Sequence, residues 1–581
     1  MPSHENGFSW YMRILKSRTR AALLTALAAV LAARTLEASG VCTYSLASAG
    51  AVFSSAGGNG SISVIAPPGC VWSGSPDTNW VAVANGGNGS GSGMLHYQIA
   101  ANTGADRAGA IHIGGVTFSI EQVSSTLTNG SVVGSMAHIA SAGGWKTTFT
   151  LINPGTAPTE IRLNFFDDNG GPLTLALTFP QSVENPGPLA ASTVDRTLNP
   201  GALLVIETAD ADRDPVLTGW AQLVSTSVVT GFATFTVTAS HQEAVVPLEI
   251  RTASEYVLAF DNTGGVATGL AAANTSTQPA VFSLMIRDDA GVSLATPTIN
   301  LPGHGHASFL LTQNYPATAG KRGTIEFQMP LGGQTSFLGL RADAGALTTL
   351  PLLADVTTAG GSMAQVASGG GWKTTFTFVN TGRGTAQFTL NFSDQNGNPL
   401  SLPLHFPQAG TSVTGAASVT KTMIPNTSVI IETQGLDSQP VVVGSARLTT
   451  TGDVGGFAIF RDGGSGQEAV VPLETRTSGS FIMGFDNTGG VSTGIALANI
   501  ANQTAAVNTI LRDDTGALLG NPTISLAAHA QASFLLKPTY AVTAGKRGTV
   551  EFDTTSGEQI TALGLRATPN ATLTTIPVLT K

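Results

Sequence analysis

The chain repeats itself, and that repetition limits its fold more than any other feature. Gly144-Trp145-Lys146-Thr147-Thr148-Phe149-Thr150 returns as Gly371-Trp372-Lys373-Thr374-Thr375-Phe376-Thr377, and Phe260-Asp261-Asn262-Thr263-Gly264-Gly265 returns as Phe485-Asp486-Asn487-Thr488-Gly489-Gly490. A spacing of 225 to 227 residues is too long for one solenoid repeat and fits a duplicated pair of domains. A finer repeat lies inside it. Gly-Gly pairs at 143–144, 264–265, 370–371 and 489–490 are followed by Thr147, Thr268, Thr374 and Thr493. Six residues on stand Asn153, Asn274, Asn380 and Asn499, and fourteen further Asp167, Asp288, Asp394 and Asp513. Each copy ends on an apolar-Pro-apolar triplet, centred on Pro247, Pro351, Pro472 and Pro577. Such repetition argues for an array built to extend or to bind, and against a single catalytic pocket.

The local pattern reads as strands and turns. Apolar residues alternate in Ile161-Arg162-Leu163-Asn164-Phe165 and in Phe388-Thr389-Leu390-Asn391-Phe392, the period of a half-buried strand. Asp167-Asp168-Asn169-Gly170 then supplies a hairpin turn, because Asn-Gly adopts positive φ at little cost. The Pro-centred triplets suit an edge strand or a chain exit, where no ladder donor is needed. The expected fold is all-β: tandem immunoglobulin-like β-sandwiches, one for each copy of roughly 105 to 120 residues. The predicted segments are 1–40 (signal peptide), 41–122 (a first sandwich), 123–135 (linker), and modules 1 to 4 at 136–252, 253–357, 358–477 and 478–581.

Composition narrows the setting. Only 11% of residues are charged, less than half the usual share, so Ser, Thr, Asn, Gln and Gly must carry the surface. No basic stripe follows the N-terminus, so a nucleic-acid partner is not expected. Arg13, Lys16, Arg18 and Arg20 precede the apolar run 21–33, and Ala38-Ser39-Gly40 offers small residues for cleavage. That is the pattern of an export signal. The run is too short to span a bilayer, and no transmembrane segment is expected in the mature chain. The only cysteines, Cys42 and Cys70, fall in one small module. In an oxidising compartment the natural reading is a disulfide; the alternative is two buried thiols.

Within 42–122, short alternating runs are separated by turns such as Pro67-Pro68-Gly69 and Asn102-Thr103-Gly104. Cys70-Val71-Trp72, Asn79-Trp80, the Gly-Ser run to Gly93, Arg107-x-Gly109 and Gly115-x-Thr117-Phe118 ending in Gln122 follow in order. These landmarks resemble the BACON-type module (Bacteroidetes-associated carbohydrate-binding, often N-terminal). The resemblance implies an immunoglobulin-like sandwich and suggests contact with glycans.

The remaining candidates are weighed against structural roles. His304-Gly305-His306 has the look of a metal pair, but its copy is His529-Ala530-Gln531, so a strand-end histidine is favoured over a ligand. Asp210-Ala211-Asp212-Arg213-Asp214 starts like a calcium loop without the Gly and Glu that complete one. Glu207 and Glu432, and Glu249 and Glu474, recur and suggest boundary ion pairs. Trp72 is expected to pack on the Cys42–Cys70 bridge, whereas Trp80 and Tyr97 offer flat rings for a sugar. Trp145-Lys146 and Trp372-Lys373 occur in odd modules only, so each Trp is expected at a module interface or on an exposed binding strip. No cofactor or metal is expected. The whole reads as an exported, non-enzymatic binding or adhesion protein with a carbohydrate or cell-surface ligand. The alternatives are a purely structural extracellular spacer or matrix protein, and an unrecognised polysaccharide-acting enzyme.

Overall fold

A computed structural model describes residues 42–581 apart from 48–49, 54, 85–86, 103–106, 123–126, 128–129, 182–187, 330–334, 344, 355–359, 477, 555–556 and 571. The basic and apolar segments read as an export signal, and most of 123–130, lie outside the described residues. The fold is all-β, a series of tandem sandwiches. The described residues divide into two units: those up to 128 together with those of 174–196, and those of 129–173 together with those of 197–581.

In the first unit, one sheet runs Ser45–Leu46, Gly58–Ile65, Gly93–Ile99, Val81–Val83. The facing strands are Gly50–Phe53, Val116–Gln122, Arg107–Ile113, Val71–Pro76 and Asn88–Ser90. Alternation sends Ile62, Val64, Leu95, Tyr97, Ile99, Ile111, Ile113, Phe118 and Ile120 into one core. Cys42 and Cys70 are disulfide-bonded, with Cα atoms 5.5 Å apart. Cys70 and Trp72 belong to the same core, and the Trp72 Nε1–H donates to the Gly91 carbonyl at 2.7 Å.

The second unit holds modules 2 to 4 and module 1 apart from its residues 174–196. Even modules share one plan. In module 2, Ser293–Ala295, Ala280–Asp288, Arg322–Gln328, Glu255–Asp261 and Leu353–Ala354 form one sheet. His306–Leu310, Ala267–Asn274, Thr335–Asp343 and Ala346–Leu350 form the other, and module 4 repeats both. In module 3, Gly360–Ser368, Val442–Thr450, Ala386–Asp394 and Ser418–Met423 face a sheet ordered Thr411–Ala416, Leu402–Phe406, Ser428–Thr433, Trp372–Asn380, Val454–Asp462, Glu468–Pro472. The first strand of module 1 is Ser131–Ser141, pairing from Ser131 opposite Ser225. Residues 131–135 are therefore sheet, not linker: their neighbours in the ladder satisfy backbone groups that a linker would leave to water.

Cores are not confined to single modules. Val379, Phe457, Ile459 and Val470 of module 3 join the core of module 2, and Ala496 and Leu563 of module 4 join that of module 3. Phe232 and Val245 of module 1 join that of module 4. Fully burying a Phe or Leu contributes about 1.5–3 kcal/mol, so these shared clusters bind neighbouring modules together rather than merely linking them.

Candidate functional site

The residues that recur in all four copies are spent on the backbone. Thr147, Thr268, Thr374 and Thr493 each donate through Oγ1 to the carbonyl seven residues back, at 2.7, 3.0, 2.7 and 3.1 Å. Asn153, Asn274, Asn380 and Asn499 are buried. Each donates through Nδ2 to the carbonyl four residues ahead, at 2.7–2.9 Å. The turn aspartates accept from the amides two and four residues on, as Asp394 does from Asn396 and Asn398 at 2.8 Å. Repetition has kept the means of building a sandwich, since buried polar groups must find partners.

The hairpin tips do a second job. The carbonyl after each turn aspartate accepts an amide from the next module. His306 donates to Asp168 at 3.1 Å, Ser428 to Asp289 at 3.2 Å and Gln531 to Gln395 at 3.3 Å. Leu203 of module 1 donates to Asp514 of module 4 at 3.0 Å. Two residues before each donor the backbone turns left-handed, at Gly201, His304, Asn426 and His529, with φ between 58° and 69°. The tip glycine sits against this turn: a Cβ on Gly170, Gly397 or Gly516 would overlap a carbonyl of the receiving module. The same junction thus runs from module 1 to 2, 2 to 3, 3 to 4, and 4 back to 1. A head-to-tail contact whose rotation closes makes a ring, and here the ring is made within one chain.

The Pro-centred triplets meet inside that ring. Pro247, Pro351, Pro472 and Pro577 all line one cavity of about 380 Å³. Thr349 of module 2 donates to the Val245 carbonyl of module 1, and Thr575 of module 4 donates to Val470 of module 3 at 2.6 Å. The prolines do end strands, as their missing donor predicts, and the strands they close contact one another across the four modules.

Two clefts lie between modules, one between 2 and 3 (about 260 Å³) and its counterpart between 4 and 1 (about 70 Å³). Lys373 lines the first, paired with Glu432 at 2.6 Å, and Glu207 lines the second, paired with Lys146 at 2.7 Å. Arg322 pairs with Asp261 at 2.9 Å and Arg547 with Asp486 at 3.1 Å. Arg566 of module 4 reaches Glu243 of module 1, and Arg341 of module 2 reaches Glu468 of module 3. Glu249 and Glu474 pair with Arg251 and Arg476 at 2.6 and 2.5 Å.

The aromatic candidates divide. Tyr97 lies in the core, edge-on to Phe53 and Phe118, and burial pushes its phenol well above the ordinary value. Trp80 is half-buried, with the Arg107 guanidinium 4.4 Å over its ring. Arg107 in turn donates to Gln122 Oε1 at 2.9 and 2.7 Å. Three landmarks of the first module are therefore one packing cluster. Trp145 is only 3% exposed, so it does not stand on an exposed strip. It packs on Phe235 of its own sheet at 5.6 Å. Trp372 is half-buried and packs the same way on Phe460.

His306 is not half of a metal pair with His304. Its Nδ1–H donates to Asp168 Oδ1 at 2.8 Å, and its Nε2 lies 3.2 Å from His138 Nδ1. Burial, with His306 beside it, pushes His138 down to about 3, against the pull of Asp168. Burial works to raise the Asp168 carboxyl, but the His306 and Thr218 hydrogen bonds and the histidine charges outweigh it and hold it low. At the 3-to-4 junction the same positions are Gln365, Gln531 and Gln395, with Gln531 Nε2 donating to Gln365 Oε1 at 2.7 Å. His304 packs against Phe166 at 4.4 Å. Asp210 pairs with Arg213 at 3.5 Å. Among the described residues no three His, Cys, Asp or Glu side chains converge as a metal set would.

No family model matches the chain, and no curated protein is similar to it. Among solved structures, a Bacteroides ovatus GH5 xyloglucanase in complex with a XXXG heptasaccharide is 17% identical over 14% of this chain, with a TM-score of 0.13. The match spans about a fifth (19%) of the xyloglucanase's own length. Domains 5–6 of the S-layer protein SbsC are 13% identical over 36% of this chain and 98% of their own, with a TM-score of 0.12. The I9–I11 tandem of titin is 8% identical over 53% and 98%, also with a TM-score of 0.12. Scores at this level carry no functional information.

Proposed function

We propose that the chain is an exported binding or adhesion protein, without catalytic activity, that uses a ring of four sandwiches as a rigid scaffold and contacts glycans or a cell surface. The observation that carries this reading is the use of the repeated Thr, Asn and Asp residues: in every copy their polar groups hold the chain's own backbone. What duplication has preserved is a framework, and function then lies in surfaces the framework presents. Export is supported by the basic-apolar-small N-terminal pattern and by the Cys42–Cys70 bridge. Glycans stand first among ligands because the first module resembles one associated with carbohydrate binding. The return of module 4 onto module 1 favours a compact scaffold over an extending spacer.

The test is a glycan array and a bacterial-surface binding assay with the exported chain, run beside polysaccharide hydrolysis assays. Saturable binding without turnover is expected. Release of reducing sugar would overturn the non-enzymatic reading, and absence of binding to every glycan and surface would overturn the ligand class.

A further inference from the structure

The ring closes around a cavity that none of the roles above uses. Its volume of about 380 Å³ lies within the range of small-molecule sites, which favour domain interfaces. The walls come from all four modules: Val245 and Pro247, Leu350 to Leu353, Val470 and Pro472, Pro577 to Leu579. The floor is buried, with Phe337, Leu338, Leu350 and Val470 each under 5% exposed. Toward the mouth Pro247 and Pro472 are exposed, and Leu352, Leu473, Val578 and Leu579 are partly so. The cavity is therefore an apolar funnel open to solvent.

Its charged groups are already committed. Arg251 binds Glu249 through two nitrogens, at 2.9 and 2.6 Å, and donates to the Leu352 carbonyl at 3.1 Å. Arg476 does the same with Glu474, at 2.8 and 2.5 Å, and with Val578 at 3.1 Å. Thr349 and Thr575 are turned to carbonyls of the neighbouring modules. An anion would have to break a bidentate pair to be held, and a polyol would have to compete for groups already bonded, apart from the exposed Thr475 hydroxyl. Apolar surface left in contact with water toward the mouth, on Leu352, Leu473, Val578 and Leu579, is released from it when an apolar guest enters.

We propose that this axial cavity binds a small, uncharged, apolar molecule with an aromatic or alicyclic body. The proposal goes beyond the glycan or surface contact above and is independent of it. Prolines and leucines supply flat and rounded apolar contacts with no directional demand, so shape and neutrality set the preference.

The probe is N-phenyl-1-naphthylamine, which is neutral and fluoresces when removed from water, titrated into the full exported chain. Saturable binding of about one probe per chain is expected, as a single cavity of this size predicts. Leu352→Trp with Val578→Trp should fill the mouth and weaken binding at least tenfold. Val228→Trp, on an exposed position elsewhere in module 1, should leave it unchanged. Pro472→Trp gives the same test at an exposed rim position should the double variant fail to fold. No saturable binding, or equal binding by the filled and unfilled chains, would overturn the proposal. Tighter binding of an anionic analogue of the probe would overturn the neutral class. Loss of glycan binding alone would leave this site standing.

Discussion

The backbone N–H of Leu203, in the first ring module, donates to the carbonyl of Asp514, in the fourth, at 3.0 Å. It is the same bond, between the same positions of the repeat, that joins His306 to Asp168, Ser428 to Asp289 and Gln531 to Gln395. Three of these junctions join modules adjacent in sequence. The fourth has no linker to hold it, and so depends wholly on its contacts.

Those contacts make the tip glycines unequal. A Cβ at Gly516 would overlap the Pro200 carbonyl, whereas at Gly291 the nearest atom of the next module is 3.4 Å away, an ordinary contact. Both have φ near 90°, at 91° and 83°, so both substitutions pay the left-handed penalty. Gly516→Ala should therefore destabilise by about 1–3 kcal/mol and by more than Gly291→Ala. Urea unfolding of the two variants checks this; equal costs would count against the tight fit at the closing junction.

The 1-to-2 junction should be acid-sensitive. His138 is held down to about 3 when folded, against about 6.5 in an unfolded chain. The unfolded state then binds the extra proton, so this group's contribution is full above about 6.5 and falls as pH drops toward 3. Asp168, held below its ordinary value, adds a loss in the same direction at lower pH. The slope for one proton is up to about 1.4 kcal/mol per pH unit. His138→Gln with His306→Gln, which copies the 3-to-4 junction, should remove most of the slope between pH 6.5 and 4. An unchanged slope would show that other groups cause it.

Trp145→Ala should cost about 3–5 kcal/mol, the range for a buried Trp, because the ring lies against Phe235 inside module 1. Trp372→Ala should cost less, since that ring is partly exposed. Neither change should weaken glycan or surface binding. A stability-neutral Trp145→Ala that lost binding would restore an exposed ligand role.

Removing the bridge with Cys42→Ser and Cys70→Ser should destabilise the N-terminal sandwich by about 2–4 kcal/mol and leave the ring modules unaffected. Separate unfolding transitions, followed by tryptophan fluorescence and by circular dichroism, distinguish the two. Two thiols alkylated in exported, unreduced protein would contradict the bridge itself.

Much of the framework was legible in the sequence. Alternation gave the strands, Asp-x-x-Gly gave the turns, and the prolines marked strand ends. Ring closure was not legible, for a physical reason. The junctions are made by main-chain donors and carbonyls, and the donors at 203, 306, 428 and 531 are Leu, His, Ser and Gln, which share no side-chain chemistry. The one trace is the left-handed turn before them, at Gly201, His304, Asn426 and His529. All four are residue types in which that conformation is enriched or unhindered, and they look like loop residues when read alone. Even modules carry Val266 and Val491 where odd ones carry Trp, which in the sequence points to an interface or a surface position for the Trp-Lys pairs. Val491 is itself buried at 9% exposure, so a change of volume between copies did not mean exposure.

The closing junction can be measured against its twin. Thr515 and Asn199 are exposed on either side of the 4-to-1 junction, and Ala290 and Ile424 hold the corresponding places at the 2-to-3 junction. Both native cysteines are bridged, so cysteines introduced at each pair can be spin-labelled cleanly. Double electron–electron resonance should give the same short, narrow distance distribution for Thr515→Cys with Asn199→Cys as for Ala290→Cys with Ile424→Cys. A long or broad distribution for the first pair, with the second still short, would contradict the ring.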